Sequence, residues 1–121
     1  MKLLYLAFST TVTLALSAPL VEAANWKRIK SESAFLELVD GKSLSRGSST
    51  AKIESGGKGS GKTESGRYTL NWVWDKGRYC RNFRFGNSDP TGTVCAKIHV
   101  DGNQIRFTST KDNSSSIWTI N

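Results

Sequence analysis

Residues 56–63 (GGKGSGKT) have the spacing of a nucleotide-binding P-loop, G-x-x-x-x-G-K-[ST]. In such a loop, backbone N–H groups held between a buried strand and the N-terminus of a helix bind phosphate. Here residues 64–66 are Glu, Ser and Gly, and a strand pattern begins near Arg67, so no helix is available. We therefore interpret the string as a chance match within a flexible Gly/Ser/Lys-rich segment, residues 47–66, and expect no bound nucleotide. Within this segment, only the alternation of Ala51 and Ile53 with polar residues indicates a weak edge strand.

His99 is the only histidine, and the strand pattern places it on an outer face beside Lys97 and Arg106. A Ser-His-Asp relay, or acid–base work by paired carboxylates, needs partners in a defined arrangement. Asp101 is near in sequence, but no spacing specifies such a relay, and one histidine without an acidic cluster is too few ligands for a zinc site. We expect no enzymatic activity, no cofactor and no metal; a hydrolase that uses His99 is the weaker alternative.

Charge is the strongest functional signal in the sequence. The 121 residues include 17 Lys or Arg and 10 Asp or Glu, which gives a formal net charge of +7. The strand pattern places four basic side chains on one outer face, with Lys97 directly opposite Arg106, and like charges in that position are mildly destabilising. These side chains are Arg84, Lys97, His99 and Arg106. The face either binds an anion or only keeps the protein soluble.

Two functional hypotheses follow from this charge pattern and from the size of the chain. The leading one is a non-catalytic binding module for an anionic envelope or extracellular partner, such as polysaccharide, lipid headgroups or a protein. The alternative is a periplasmic inhibitor of a hydrolase, which rests on analogy of fold alone. A chain of this length has no room for a second, substrate-binding domain.

The N-terminus has the three parts of a secretory signal peptide. Lys2 supplies the positive charge, residues 3–16 are apolar, and Val21 and Ala23 put small residues at the positions that signal peptidase reads. The apolar stretch is shorter than the roughly 20 residues that span a bilayer. We expect cleavage after Ala23, which leaves residues 24–121 as a single β domain, periplasmic or secreted, with no transmembrane segment.

Export has a consequence for the two cysteines. In an oxidising compartment, Cys80 and Cys95 of a small domain are expected to form a disulfide. The bond would close a loop of about 15 residues and stabilise the domain by roughly 3 kcal/mol. A reactive thiol pair would need a C-x-x-C-like spacing or an activated thiolate, and the sequence offers neither.

One short helix of about nine residues is predicted ahead of the strands. Ser31 is the expected N-cap, Gly41 follows the expected C-terminus, and Phe35 and Val39 belong to one apolar stripe. The rest of the chain alternates apolar and polar residues, which predicts an antiparallel meander of about six to eight strands. We expect this sheet to form a small barrel or a strongly twisted sheet, with the helix over one open end or side.

Turn residues predict the pairing of two strand pairs. A two-residue turn at Lys76-Gly77 places Trp74 opposite Tyr79. A turn at Asp101-Gly102 places Ile98 opposite Ile105.

Trp72 and Trp74 could form a stacking platform for sugars or bases. Their alternation with Leu70, and their match to Tyr79 and Phe83 on the next strand, favour a place in the core.

Several features resemble a group of small uncharacterised exported proteins of alphaproteobacteria. These features are Trp72 and Trp74 before a glycine turn, the string Tyr-Cys-Arg at 79–81, the second cysteine at 95, and Asp-Gly-Asn-x-Ile-Arg-Phe at 101–107. The resemblance implies an exported, disulfide-containing β domain, and it implies no functional residues. Some members of the group are labelled dihydrodipicolinate reductase, which this sequence does not support, because it has no G-x-G-x-x-G between a strand and a helix.

Overall fold

The computed structural model describes residues 24–121, so the expected signal peptide, residues 1–23, lies outside the described residues. The described chain contains one helix, α1, at Glu32–Val39, and nine strands. The strands are β1 Lys27–Ile29, β2 Leu44–Arg46, β3 Ser49–Glu54, β4 Lys58–Thr63, β5 Gly66–Asp75, β6 Arg78–Phe85, β7 Val94–Asp101, β8 Gln104–Ser109 and β9 Ser115–Ile120. No helix of this part of the chain is long and apolar enough to cross a membrane.

Eight of these strands form a closed antiparallel barrel. Strands β2 to β9 pair in sequence order, and β9 pairs back onto β2, with Leu44 opposite Ile120. The extra strand β1 pairs with residues 98–100 of β7, whereas β6 pairs with residues 94–96 of the same strand. Closure removes the free edges that an open sheet would expose. The predicted antiparallel meander is therefore confirmed as a barrel, with β1 as an additional strand.

The core lies in the barrel interior. Along β5, the inner-facing side chains of Tyr68, Leu70 and Trp72 are buried, while the residues between them are exposed. The indole Nε1 of Trp72 donates hydrogen bonds to the backbone carbonyls of Glu54 and Lys58, each at 3.0 Å. A buried indole with its N–H satisfied in this way belongs to the core, as predicted, and cannot act as a stacking platform.

The helix α1 closes one end of the barrel. Ser31 caps it, since its side-chain oxygen accepts a hydrogen bond from the backbone N–H of Ala34 at 3.2 Å. Phe35 is fully buried, and its ring centroid lies between 5.2 and 5.7 Å from those of Trp72, Trp74 and Tyr79. The predicted helix and its place over one end are confirmed. The opposite end of the barrel has no helix over it in the described chain.

The turn at Lys76-Gly77 has the predicted register. Trp74 pairs with Tyr79 across it, and the pairing continues to Tyr68 and Phe85 at the far end of the strands. Both turn residues have positive φ, 51° for Lys76 and 75° for Gly77, as a type I′ turn requires.

The register predicted for the turn at Asp101-Gly102 is wrong. Asp101 pairs with Gln104, so the turn residues are Gly102 and Asn103, and Ile98 faces Phe107 instead of Ile105. Gly102 has a φ of +57° and takes the first turn position, the place that a type II′ turn reserves for glycine. The partner of Ile98 shifts by an even number of residues, so the inner face of both strands is unchanged.

The strand expected at Ala51 and Ile53 is present as β3, but the prediction that most of residues 47–66 form a flexible loop is wrong, because β4 adds a second strand and the two form most of this segment. The alternation of large apolar with polar residues that normally identifies a strand is missing on β4, where Gly59 and Gly61 take inner-facing positions. A Cβ at Gly59 would lie 2.7 Å from the Leu70 side chain, and one at Gly61 would overlap the Tyr68 side chain. The large side chains of β5 therefore fill the space that β4 leaves empty.

The predicted disulfide between Cys80 and Cys95 is confirmed. The two residues lie directly opposite each other on β6 and β7. Tyr79 and Ala96, their neighbours, face inward, so the disulfide lies on the outer side of the sheet. It joins the two strands where their pairing is limited to three residue pairs, because only Tyr79, Cys80 and Arg81 of β6 pair with β7.

Replacing both cysteines by alanine should lower the free energy of unfolding by roughly 3 kcal/mol, since the bond no longer constrains the unfolded chain. For a domain of this size, the melting temperature should fall by roughly 12–24 °C, measured by circular dichroism. Dithiothreitol should lower the melting temperature of the wild type but leave that of the double variant unchanged. A double variant that melts with the wild type would contradict the assigned role.

Substituting Gly61 by alanine should destabilise the protein by roughly 1–3 kcal/mol, because the new methyl group must displace the Tyr68 ring or the carbonyl of Thr50. Gly92→Ala is the matched control. At Gly92 a Cβ meets nothing within 4 Å, so we expect a neutral or slightly stabilising effect. Urea denaturation of both variants measures the difference, and equal stabilities would refute the close packing of β4 against β5.

Candidate functional site

Three of the four predicted basic residues lie together on the outer surface of β7 and β8. His99 pairs with Arg106 on one side and with Arg28 of β1 on the other, and Lys97 is the next outward residue along β7. Lys97 faces Thr108, so the predicted pairing of Lys97 with Arg106 is wrong, a consequence of the shifted turn. We call Arg28, Lys97, His99 and Arg106 the histidine cluster.

Arg84 does not belong to this cluster, which corrects the prediction of one common basic face. Tyr79 pairs with Ala96, so Lys97 is level with Arg78, at the opposite end of β6 from Arg84. At about 3.3 Å per residue, Arg84 lies roughly 20 Å further along the strand. Its guanidinium Nε donates a hydrogen bond to the backbone carbonyl of Ser88 at 2.8 Å, which fixes it above the loop after β6.

Arg84 lies instead in a basic patch on the outer surface of β3 to β6. In one cross-strand row, Lys52 faces Ser60, Ser60 faces Thr69, and Thr69 faces Arg84. In the adjacent row, Thr50 faces Lys62, which faces Arg67. We call Lys52, Lys62, Arg67 and Arg84 the lateral patch.

The four cations of the lateral patch are exposed and line an open depression of about 520 Å³. No acidic residue lies in these two rows. The nearest carboxylate on this outer surface of β3, Glu54, is one row away and faces Lys58. Lys62 and Arg67 are directly opposite each other, which costs stability because like charges repel. Within residues 24–121 none of these four cations forms an ion pair, and Glu64, in the turn after β4, accepts a hydrogen bond from the Ser48 hydroxyl instead.

Sequence reasoning missed three members of the lateral patch for one reason. Lys52, Lys62 and the start of β5 near Arg67 fall in or beside the segment that was predicted to be a loop. The signal that could have found them is the alternation of polar residues at 58, 60 and 62 with the intervening glycines. This alternation is that of a strand with glycine at its inner-facing positions 59 and 61.

The surroundings of His99 are cationic and partly desolvated. Burial lowers the pKa of His99, and the nearby charges of Arg106, Arg28 and Lys97 lower it further. Its Nδ1 atom is buried and has no hydrogen-bond partner in the described chain, and the same holds for Nε of Arg106. The Arg106 guanidinium lies 4.7 Å from the centroid of the Trp26 ring, a cation–π contact. His99 is therefore mostly neutral at pH 7.

This arrangement does not form a Ser-His-Asp relay. The Asp101 carboxylate accepts a hydrogen bond from the backbone N–H of Asn25 at 3.1 Å, and the charges that act on His99 all come from cations. Within residues 24–121, no group of three or more His, Cys, Asp or Glu residues could hold a metal ion. The P-loop-like string at 56–63 runs through a turn and β4, and the next element is β5, not a helix.

Comparisons with known proteins add no further constraint: no family model, no curated protein and no solved structure matches this chain. The resemblance to exported alphaproteobacterial proteins stays a prediction. The protein is a disulfide-containing eight-stranded barrel with two basic surfaces, the lateral patch and the histidine cluster, on different parts of its outer wall.

Stability should depend on pH through His99, the only histidine in the chain. Its pKa is lower in the folded state, so the unfolded chain binds the proton more tightly and stability is lost as the pH falls below about 6.5. In His99→Gln, melting temperatures measured between pH 5 and 8 should show a smaller slope below pH 6.5. Parallel pH profiles for the two proteins would contradict the electrostatic environment assigned to His99.

Proposed function

We propose that the protein is a non-catalytic binding module for an anionic polymer and that the lateral patch is its binding surface. The single observation that supports this most is the placement of Lys52, Lys62, Arg67 and Arg84 in two adjacent cross-strand rows without a carboxylate. Such an arrangement costs stability in the free protein, and an anion bound across it would remove that cost. The net charge of +7 would assist the approach of any polyanion.

The spacing of the patch suits a repeating anion. Neighbouring strands are about 4.8 Å apart, so Lys52 and Arg84, three strands apart in one row, are separated by roughly 14 Å. Lys62 and Arg67 lie between them in the adjacent row. Hydroxyl groups of Ser60 and Thr69 lie between the cations and can donate hydrogen bonds to sulfate, phosphate or carboxylate oxygens. A single small anion could contact only part of this surface.

An exported location fits this proposal. A disulfide persists in oxidising compartments and is rare in the cytosol. Acidic polysaccharides are the class of polyanion that we favour, because they occur outside the cytoplasm. The proposed function does not require the histidine cluster, which lies on a different part of the barrel wall.

Heparin-affinity chromatography with a salt gradient tests the proposal, with heparin as the sulfated-polysaccharide probe. The quadruple variant Lys52→Gln, Lys62→Gln, Arg67→Gln and Arg84→Gln should elute at a clearly lower salt concentration than the wild type. If all four side chains contact the polymer, the slope of log K against log salt should shrink by roughly 3, taking about 0.7 per contact.

The matched control removes the same charge from other exposed positions: Lys27→Gln, Lys30→Gln, Lys42→Gln and Lys111→Gln. This control should elute close to the wild type if the lateral patch is the binding surface. Coincident elution of the two quadruple variants would mean that net charge alone governs retention, and it would refute the proposed site.

A further inference from the structure

The barrel contains an interior cavity at the end away from α1. Its volume is about 380 Å³. Its mouth is bordered by three serines, Ser114, Ser115 and Ser116, at and after the turn between β8 and β9. A closed sheet of eight strands is wide enough either to be filled by its own side chains or to hold one small ligand. Here α1 and its aromatic partners fill one end, and the other end stays open.

Most of the residues that line this cavity are apolar or aromatic, and the others are serines and arginines. Leu44, Ile53 and Leu70 line it, and each is at most 3% exposed. Tyr79 and Trp118 add aromatic surface, and burial raises the pKa of the Tyr79 hydroxyl, which therefore stays protonated. An apolar lining with a few polar groups is typical of sites that bind small organic molecules.

Arg81 is the exceptional residue in this cavity. It lies on β6 between the inward-facing Tyr79 and Phe83, so strand alternation directs its side chain into the barrel. Its guanidinium lies 4.0 Å from the centroid of the Phe83 ring. In the part of the chain that the structure describes, the single ion pair joins Arg78 and Asp75, so no carboxylate neutralises Arg81.

No acidic side chain lines the cavity, and a second cation, the exposed Arg46, lies at its rim. Burial lowers the pKa of the Arg81 guanidinium, as expected for a cation removed from water without a counter-ion. An arginine nevertheless keeps its charge in a protein. A half-buried charge without a partner is costly, and a bound carboxylate would offset that cost through two parallel N–H···O bonds.

We propose that the cavity binds a small amphiphilic carboxylate, with the carboxylate on Arg81 and the aliphatic body against Leu44, Leu70 and Tyr79. A water molecule takes about 30 Å³ in the liquid, so 380 Å³ corresponds to on the order of a dozen non-hydrogen atoms. Decanoate, a ten-carbon monocarboxylate, is a probe of that size. This site is inside the barrel and is independent of the lateral patch on its outer wall.

Isothermal titration calorimetry of the purified protein, expressed from the full chain, compares decanoate with uncharged 1-decanol. Wild-type protein should bind decanoate at least about tenfold more tightly than 1-decanol, because the charge-assisted hydrogen bonds are available only to the acid. In Arg81→Leu, decanoate affinity should fall at least about tenfold, while 1-decanol affinity stays within about threefold. No decanoate binding by the wild type, or undiminished binding by Arg81→Leu, would overturn the proposal.

Arg78→Gln is the matched control, because Arg78 is on the same strand but ion-paired outside the cavity, and it should bind decanoate like the wild type. A decanoate affinity that falls equally in Arg78→Gln would assign the effect to overall charge and overturn the site. If Arg81→Leu fails to fold, the wild-type comparison decides, and equal affinities for decanoate and 1-decanol overturn the proposal. Arg81→Leu should elute from heparin at the same salt concentration as the wild type, because Arg81 is not part of the lateral patch. The decanoate experiment and the heparin experiment therefore test the two sites separately.

Discussion

Closure of the sheet by pairing of β2 with β9 is the constraint on which the rest of the structure depends. Once Leu44 lies opposite Ile120, every strand of the barrel has two hydrogen-bonded neighbours, and each residue must face either the interior or the solvent. The helix can then bury Phe35 only by entering one end of the barrel. The same rule directs Arg81 inward and Arg84 outward, because they are three residues apart, an odd number, on one strand.

Glycine on β4 has a second effect besides making room for β5. Because Gly59 and Gly61 carry no side chains inward, the charged side chains of β4, Lys58 and Lys62, lie on its outer surface together with Ser60. A segment that contributes almost nothing to the core therefore contributes strongly to the surface charge. Close backbone packing and a basic exterior arise from the same alternating sequence of glycine and polar residues.

Much of the fold could be predicted from the sequence, because most strands alternate large apolar and polar residues. The pairing of Trp74 with Tyr79 followed from that alternation and from turn chemistry. The disulfide between Cys80 and Cys95 followed from the expected export of a small domain with two cysteines. Strand β4 could not be recognised in this way, since its inner face has no large apolar side chain. The turn register at Gly102 failed because two adjacent turn positions both suited the local residues, and only the pairing of Asp101 with Gln104 decides between them.

The basic surfaces could be predicted only in part. The joint position of Lys97, His99 and Arg106 followed from alternation, but the distance of Arg84 from them did not, because it depends on how far β6 extends beyond its short pairing with β7. The inward direction of Arg81 was present in the alternation of Tyr79 and Phe83. It was not predicted because arginine side chains are mostly exposed to solvent.

The most direct test of this account is the detection by nuclear magnetic resonance of nuclear Overhauser effects between backbone protons of β2 and β9. A closed barrel predicts cross-peaks between Leu44 and Ile120 and between Ser45 and Thr119, the two pairs that join the first and last barrel strands. Full assignment of both strands without any cross-peak between them would mean that the sheet is open. An open sheet would enclose no cavity, and its two faces would no longer be an interior and an outer surface.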